Sequence, residues 1–578
     1  MDTTNSTVAK SPAAPDHSSK SMDFRMDDEE FQVRKRLPPR LPVRKNDVYI
    51  TRRTNFKAQL SRCEKLLDSG FDIIYIHGLG AAVNRAINLA LQLKRRGLGS
   101  LEIAINTSTV EVTDDLEPLL DDVEAQTRVR PAAFYCAESL NRNLPDQLNL
   151  DIYERLPVPY GLVRFGVAPD HPDLKKCIAG FERLIERMGV GKRFQFFGNV
   201  RVGTDVRIEE LMRAYDFVVL AYGAESDRKL GVEGEDAANC LSARRFVNWY
   251  NGLPGAAQTP IDLQSDETAV VFGHGNVALD VARVLLTPVD VLAKTDIAQH
   301  ALDALNRSRV RRCILVGRRG PLQVSFTTAE LRQIIQVPRI EPVFRMEDFN
   351  AVENQLSTLE RARKRLTALM CETAKKPPAK LDVYSKWELK FLRSPTKILQ
   401  SSGRVVGAEL GINRLESIDN NSEHDRAVDT GEREKLECGL VIYSIGYKTI
   451  NIETGVLPFD SKKHVVEADG EGRVTGLQNL YACGWCSRGP VGVLVATQTH
   501  AKLVAETIRN DAVAGRLSKK EKNGADTIKA ILKEREVQYV SWDDWVKIDR
   551  IEKERGNKVG KPREKIVDYK ELLKIAAS

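Results

Sequence analysis

Ala269-Val270-Val271-Phe272-Gly273-His274-Gly275-Asn276-Val277-Ala278-Leu279-Asp280 decides how most of this chain is read. An apolar strand runs into Gly-x-Gly-x-x-Ala and on into a helix. Gly273 permits the tight turn and Gly275 lets backbone approach a pyrophosphate. Ala278 allows close helix–strand packing, with the helix N-terminus facing the phosphates. The plain alternative is a tight turn in an α/β unit with no ligand. The next strand, Cys313-Ile314-Leu315-Val316, leads into Gly317-Arg318-Arg319-Gly320. An NAD site carries Asp or Glu there for the ribose 2′-hydroxyl, whereas arginine meets the 2′-phosphate of NADP. Two surface arginines after a strand by chance is the competing reading. The gap from the glycines exceeds the usual ~20 residues, so an insertion over roughly residues 287–308 is expected.

A second nucleotide unit is expected earlier. Asp151-Ile152-Tyr153-Glu154 reads as a strand ending in an acid, as an adenosine ribose requires. A helix over residues 132–140 precedes it, but the glycine turn and apolar strand that should come before that helix are missing. By spacing the glycines would fall near Arg128, Arg130 and Ala133, and the stretch 120–130 is acidic and then polar.

Working outward, apolar strands alternate with helices from Pro131 onward, the pattern of doubly wound parallel sheets. Residues 350–380 and 415–436 are charged and read as surface helix or loop. Residues 515–578 read as a partly helical tail wrapped on the surface. Residues 1–30 read as a disordered tail. Residues 31–127 read as a small α/β sandwich of order β-α-β-α-β-β. It has a basic, Pro-rich lead-in, strands over 47–51 and 72–77, helices over 56–67 and 81–94, and final strands over 100–106 and 109–113.

The 578 residues suffice for three or four domains, and a 42% hydrophobic content builds sizeable cores. No apolar run is long enough to span a bilayer. A net charge of +7, from 87 basic and 80 acidic residues, excludes a nucleic-acid-coating protein and favours an acidic partner. Nine scattered cysteines suggest free thiols in a reducing compartment. Asp27-Asp28-Glu29-Glu30 has the wrong sign for a mitochondrial presequence, so no import signal is visible. No metal-ligand spacing is found.

Longer motifs carry a resemblance. Tyr153-Glu154-Arg155-Leu156-Pro157-Val158-Pro159-Tyr160-Gly161-Leu162-Val163-Arg164-Phe165-Gly166-Val167-Ala168-Pro169-Asp170-His171-Pro172 resembles the signature of NADPH:adrenodoxin (ferredoxin) reductases. So do Asn248-Trp249-Tyr250-Asn251-Gly252, the Gly317-to-Phe326 stretch, Gly484-Trp485 with Arg488-Gly489-Pro490-Val491-Gly492, and Gly560-Lys561-Pro562-Arg563-Glu564-Lys565. The resemblance implies two nested doubly wound dinucleotide-binding domains. FAD is held by residues 128–225 and 444–578, and NADPH by 226–443. It implies FAD contacts at Ala132, Glu154, Leu162, Val202, Trp485, Gly492, Val493 and Leu494. NADP contacts are implied at Gly273, His274, Gly275, Asn276, Val277, Arg318, Arg319, Glu330 and Gly492, the His274 position being backbone-dominated. His171 and Glu330 are the candidate catalytic residues near the flavin, a surface salt bridge being the alternative. The basic cluster Arg361, Arg363, Lys364 and Arg365 falls where the family docks its acidic [2Fe-2S] partner, adrenodoxin or ferredoxin. A mitochondrial location is implied. Cys483-Gly484-Trp485-Cys486 offers a dithiol reading, but it lies in the FAD-contacting segment, where Trp485 supplies the function.

Residues 31–127 resemble something else. Lys35-Arg36-Leu37-Pro38-Pro39-Arg40-Leu41-Pro42, Asn46-Asp47-Val48-Tyr49, Phe56-Lys57-Ala58-Gln59-Leu60, Ile76-His77-Gly78-Leu79-Gly80, Ala82-Val83-Asn84-Arg85-Ala86-Ile87-Asn88 and Asn106-Thr107-Ser108-Thr109-Val110 are similar to the Alba-like small subunit of ribonuclease P and ribonuclease MRP. That resemblance implies RNA binding beside a sister Alba-like subunit, and a nuclear location. Arg34, Lys35, Arg36, Arg40, Arg52 and Arg53 give a basic edge suited to phosphates. The joint between the two parts falls inside the reductase's first βαβ unit. That reads as two neighbouring proteins merged in the gene reading, the alternatives being a working bifunctional chain or a fusion that uses one half.

Overall fold

The computed structural model describes residues 31–35, 45–50, 55–78, 82–96, 101, 103, 114–118, 132–143, 148–377, 384–417, 425–490, 494–517 and 522–578. The chain divides into two compact units, Met1–Gln126 and Thr127–Ser578.

In the first unit the strand Asp47–Ile50 runs parallel to Tyr75–Gly78. Helices Phe56–Asp68 and Val83–Arg96 accompany the pair. Asn55 caps the first helix by accepting the N–H of Ala58. Val48, Ile50, Leu60, Cys63, Ala86, Leu89 and Leu93 form the core. The lead-in differs from expectation: Phe31–Lys35 is a strand, antiparallel to Asp114–Pro118. Its register sets Arg34 opposite Asp115 and Lys35 opposite Asp114. Arg36, Arg40, Arg52 and Arg53 lie outside the described residues, as do the expected strands over 100–113 apart from Leu101 and Ile103.

The centre of the second unit is a six-stranded parallel sheet in the order Ile340–Val343, Ser385–Lys390, Arg312–Val316, Thr268–Phe272, Leu440–Tyr443, Cys240–Ser242. Strand residues alternate between two faces. Ala269, Val271, Cys313 and Leu315 pack under helices with Phe246, Tyr250 and Trp387. Val270, Phe272, Ile314 and Val316 pack with Ile398, Val405, Ala408 and Leu410 of a three-stranded antiparallel sheet. That sheet is formed by Arg393–Ser401, Arg404–Glu416 and Arg426–Glu437. The charged segment read as surface helix or loop is therefore, in its second half, a strand. Its ladder hides backbone while its side chains stay largely in water. Short helices Val289–Leu292 and Gln299–Asn306 fill the expected insertion.

Around this sheet sit two parallel pairs. Leu150–Glu154 pairs with Phe194–Gly198, and Val218–Leu220 pairs with Leu480–Ala482. Among the described residues no strand joins the two pairs. Helix Ala132–Asn143 packs through Phe134, Ala137 and Leu140 on Ala501, Val504 and Ile508 of helix Leu494–Val513. The C-terminal segment corrects a second expectation. Helices Ala525–Glu534, Trp542–Lys558 and Tyr569–Ala577 are structural parts of this region. Trp542, Trp545, Ile548, Ile566 and Leu572 are buried in the same core as Phe181 and Phe194. The segment is lysine-rich overall, but its apolar residues fall on single helix faces.

Candidate dinucleotide and electron-transfer site

The glycine turn has the geometry its residues predict. Gly273 sits at φ +135°, and a Cβ there would stand 2.2 Å from the Ser444 carbonyl oxygen. Gly275 caps helix Asn276–Leu286, and nothing crowds the space beside it. Ala278 is fully buried. The His274 carbonyl accepts the N–H groups of Ser325 and Phe326, and Asn276 Oδ1 accepts the N–H of Thr327 at 2.8 Å, tying the following loop over the turn. The His274 ring points inward. Its Nε2 lies 2.9 Å from the Leu315 carbonyl oxygen, and burial lowers its pKa to about 4, so Nε2 carries the proton and donates. Any contact it makes to a ligand is through backbone. Val277 packs against the sheet core.

Arg318 is exposed at the end of the next strand, and Arg319 beside it is half-buried. The Arg319 pKa is lowered by burial and then by the charges of Arg318 and Arg363. Such a concentration of positive charge suits a dianionic phosphate. Of the four basic residues expected to form one docking face, only Arg361 and Lys364 are exposed. Arg363 and Arg365 are half-buried on helix Arg361–Lys375, and Arg363 donates to the Val324 carbonyl at 2.9 Å. On the helix Arg363 lies on the side opposite Arg361, Lys364 and Arg365, which splits the cluster.

The signature loop reaches helix Asn276–Leu286. It leaves strand Leu150–Glu154 and turns at Tyr160, which takes φ 76°. Tyr160 is locked there among Phe134, Phe181, Trp542 and Trp545. Arg164 is buried against Glu552 at 2.5 Å. Asn251 Nδ2 donates to the carbonyls of Phe165 and Val167, at 3.0 Å each. The loop so fixed delivers Asp170 and His171 to Arg283, two turns into the glycine-turn helix. Arg283, 3% exposed, bonds Asp170 at 2.5 and 3.1 Å, Asp280 at 2.6 Å, His171 Nε2 at 2.8 Å and Glu330 at 3.5 Å. His171 and Glu330 are 8% and 16% exposed and 3.8 Å apart, so they are not a surface salt bridge. Glu330 is pushed up to about 8, by burial and then by Asp280. His171 is lowered by burial and then by Arg283. Ligand atoms of His171, Asp280 and Glu330 lie within 4.8 Å of one another, a spacing that suits a metal ion, but the Arg283 guanidinium already supplies positive charge to all three. Asp170, Asp280 and Arg283 were not assigned from sequence. The legible signal was an Asp-x-x-Arg pair, i and i+3, on an otherwise apolar helix.

The expected FAD contacts divide. Glu154 ends its strand, half-buried, its Oε1 accepting the N–H of Leu156 at 3.0 Å; burial raises its pKa. Ala132 begins helix Ala132–Asn143 and meets Gly484, where a Cβ would fall 2.6 Å from the Ala132 methyl. Leu162 is exposed on the short helix Gly161–Phe165, and Val202 is half-buried. The Trp485 ring stacks 6.0 Å from Tyr447. Leu494 opens helix Leu494–Val513, while Gly492 and Val493 lie outside the described residues. The acid, the helix start and the aromatic wall fit a flavin dinucleotide. The departure is on the pyrophosphate side, because the sequence has no glycine between Gly99 and Gly161. Cys483 and Cys486 are buried free thiols. Cys486 Sγ donates to the Leu220 carbonyl, and burial raises both pKa values, that of Cys486 to about 12. A reactive dithiol needs the opposite shift.

Comparison with known proteins matches both parts. A family model described as the Rpp20 subunit of nuclear RNase MRP and P matches residues 43–133. NADPH:adrenodoxin oxidoreductase of Salvelinus fontinalis is 48% identical over 77% of this chain and 89% of its own length. The Homo sapiens protein of the same name is 46% identical over 77% and 90%. The solved structure of Mycobacterium tuberculosis FprA in complex with NADPH is 37% identical, with a TM-score of 0.72, covering 78% of this chain and 98% of that one. This chain belongs to the NADPH:adrenodoxin oxidoreductase family, carrying an Rpp20-like unit ahead of the reductase.

Proposed function

We propose that residues 127–578 take hydride from NADPH on to FAD and pass electrons singly to an adrenodoxin- or ferredoxin-type [2Fe-2S] protein. The observation that carries this reading is one helix, Asn276–Leu286, doing two tasks. Its N-terminus opens at an uncrowded glycine turn near Arg318 and Arg319, and two turns later it holds Asp170, His171 and Glu330 together through Arg283. A bound flavin accepts an electron pair and releases electrons one at a time, which joins a two-electron donor to a one-electron acceptor. The chain's own residues do the rest. Gly273, Gly275 and the helix N-terminus receive the NADP pyrophosphate, and Arg318 and Arg319 receive its 2′-phosphate. Glu154 and Trp485 hold the flavin nucleotide. Segments 128–225 and 444–578 make the FAD-binding domain around the NADP-binding segment 226–443. The exposed cations Arg361 and Lys364 meet the acidic partner. A mitochondrial location follows from the family.

An anaerobic NADPH titration of the FAD-loaded full chain tests this. Bleaching of the flavin band at one equivalent, followed by reduction of an added [2Fe-2S] protein, is expected. A band untouched by excess NADPH would sink the reading.

The family match over residues 43–133 supports a second role, RNA binding in ribonuclease P/MRP beside a sister Alba-like subunit in the nucleus. Val83, Ile87 and Leu91 form an exposed apolar stripe along helix Val83–Arg96, suited to a protein neighbour. Co-purification with ribonuclease P RNA, lost when residues 1–126 are removed, is the expected outcome.

A further inference from the structure

Four acid–base groups converge on Arg283, and the geometry constrains which atoms carry protons. A guanidinium only donates hydrogen bonds. The 2.8 Å contact between Arg283 Nη2 and His171 Nε2 therefore makes Nε2 the acceptor. The ring is then neutral, with its proton on Nδ1. Glu330 Oε2 stands 3.8 Å from the same nitrogen. With Nε2 taken by Arg283, histidine and carboxylate are kept from becoming an ion pair. The groups facing His171 come from three elements: Asp170 beside it on the signature loop, Asp280 and Arg283 on helix Asn276–Leu286, and Glu330 with Gln333 on helix Thr328–Gln336. Tyr250 and Tyr447 lie close enough to feel the same charges, and burial keeps both protonated. Arg283 is the one cation among these groups, and it is the residue that joins the loop to the glycine-turn helix.

We propose that Arg283 is a positioning residue for this site: by donating to Nε2 it holds His171 as the neutral Nδ1–H tautomer and keeps it from pairing with Glu330. This rests on the reading of His171 and Glu330 as flavin-side groups. Removing the guanidinium leaves His171 facing Asp170, Asp280 and Glu330 with no competing cation, so the ring takes a second proton and pairs with a carboxylate.

Long-range proton–nitrogen NMR on full-length chain with ¹⁵N-labelled histidine, free of cofactor, reads this directly. His171→Gln identifies the resonance among eight histidines. The wild-type ring is expected to show a protonated Nδ1 and a bare Nε2 at pH 7. In Arg283→Met its apparent pKa rises by at least about one unit, and in Arg283→Lys by less. A wild-type ring protonated at Nε2 overturns the proposal even if neither variant folds. So does an unchanged titration in folded Arg283→Met. Because no cofactor is present, this result is separate from the NADPH titration that decides the reductase reading.

Discussion

The two dinucleotide regions of this chain make an instructive pair. The NADP-type region has one unbroken parallel sheet of six strands, a glycine turn at Gly273 and arginines on the next strand. Among the described residues the FAD-type region has the flanking features without the centre: an acid-ended strand, a helix start at Ala132 and two separate strand pairs. A ribose acid, a packing helix and an aromatic wall can be set by local sequence. Close backbone approach to a pyrophosphate cannot be, because any side chain larger than hydrogen blocks it. The comparison therefore predicts two sites of unequal strength on one scaffold.

The largest expected effect tests whether the FAD region is as rigid as its neighbour. Trp545 lies 3% exposed and edge-on to Tyr160, which anchors the signature loop. Trp545→Ala should cost about 3–5 kcal/mol in denaturant unfolding and loosen flavin binding. A loss under about 1 kcal/mol would mean that the C-terminal helices are not part of that core.

Next, Arg318→Ala with Arg319→Ala probes the stronger site. Charged hydrogen bonds contribute about 1.5–3 kcal/mol each, so affinity for 2′,5′-ADP should fall at least about tenfold by calorimetry. Binding of NADH should stay as it was. Equal losses for both nucleotides would remove the arginines from the 2′-phosphate.

A smaller effect lies where the regions meet. Glu330 keeps its proton up to about pH 8 in the folded chain, whereas an unfolded carboxyl loses it near pH 4.3. Between those values the folded state binds more protons, so this group's contribution to stability falls as pH rises, by at most ~1.4 kcal/mol per unit. Melting temperatures from pH 5 to 8 should fall less steeply in Glu330→Gln. A steeper fall would place the titration elsewhere.

The smallest effect is an expected nothing. Cys483 and Cys486 should resist thiol reagents equally before and after NADPH. Faster labelling on reduction would restore the dithiol reading.

What was legible in the sequence follows the same division. The turn from Gly273 to Ala278 could be read because each residue has a local steric reason. Arg318 and Arg319 could be read because they follow a strand directly. A signature motif carried His171, and the family resemblance carried Glu330. The charge junction could not be read, because tertiary packing brings Asp170 to Arg283 across 113 positions and Glu330 across 47. Arg426–Glu437 escaped because charged side chains on a solvent-facing strand hide the period-2 pattern. The burial of the C-terminal helices escaped because their lysines outweighed Trp542 and Trp545 in composition. The pairing of Phe31–Lys35 escaped because the strand that opposes it lies some 80 residues later.

The unequal-site claim is tested most directly by FAD binding to two full-length proteins: the chain as it stands, and one with residues 119–131 replaced by an apolar strand ending in a glycine turn. Flavin fluorescence quenching should report FAD affinity at least about tenfold tighter in the replacement, with 2′,5′-ADP affinity the same in both. Equal FAD affinities would contradict the account, because the pyrophosphate side would then be served without glycine.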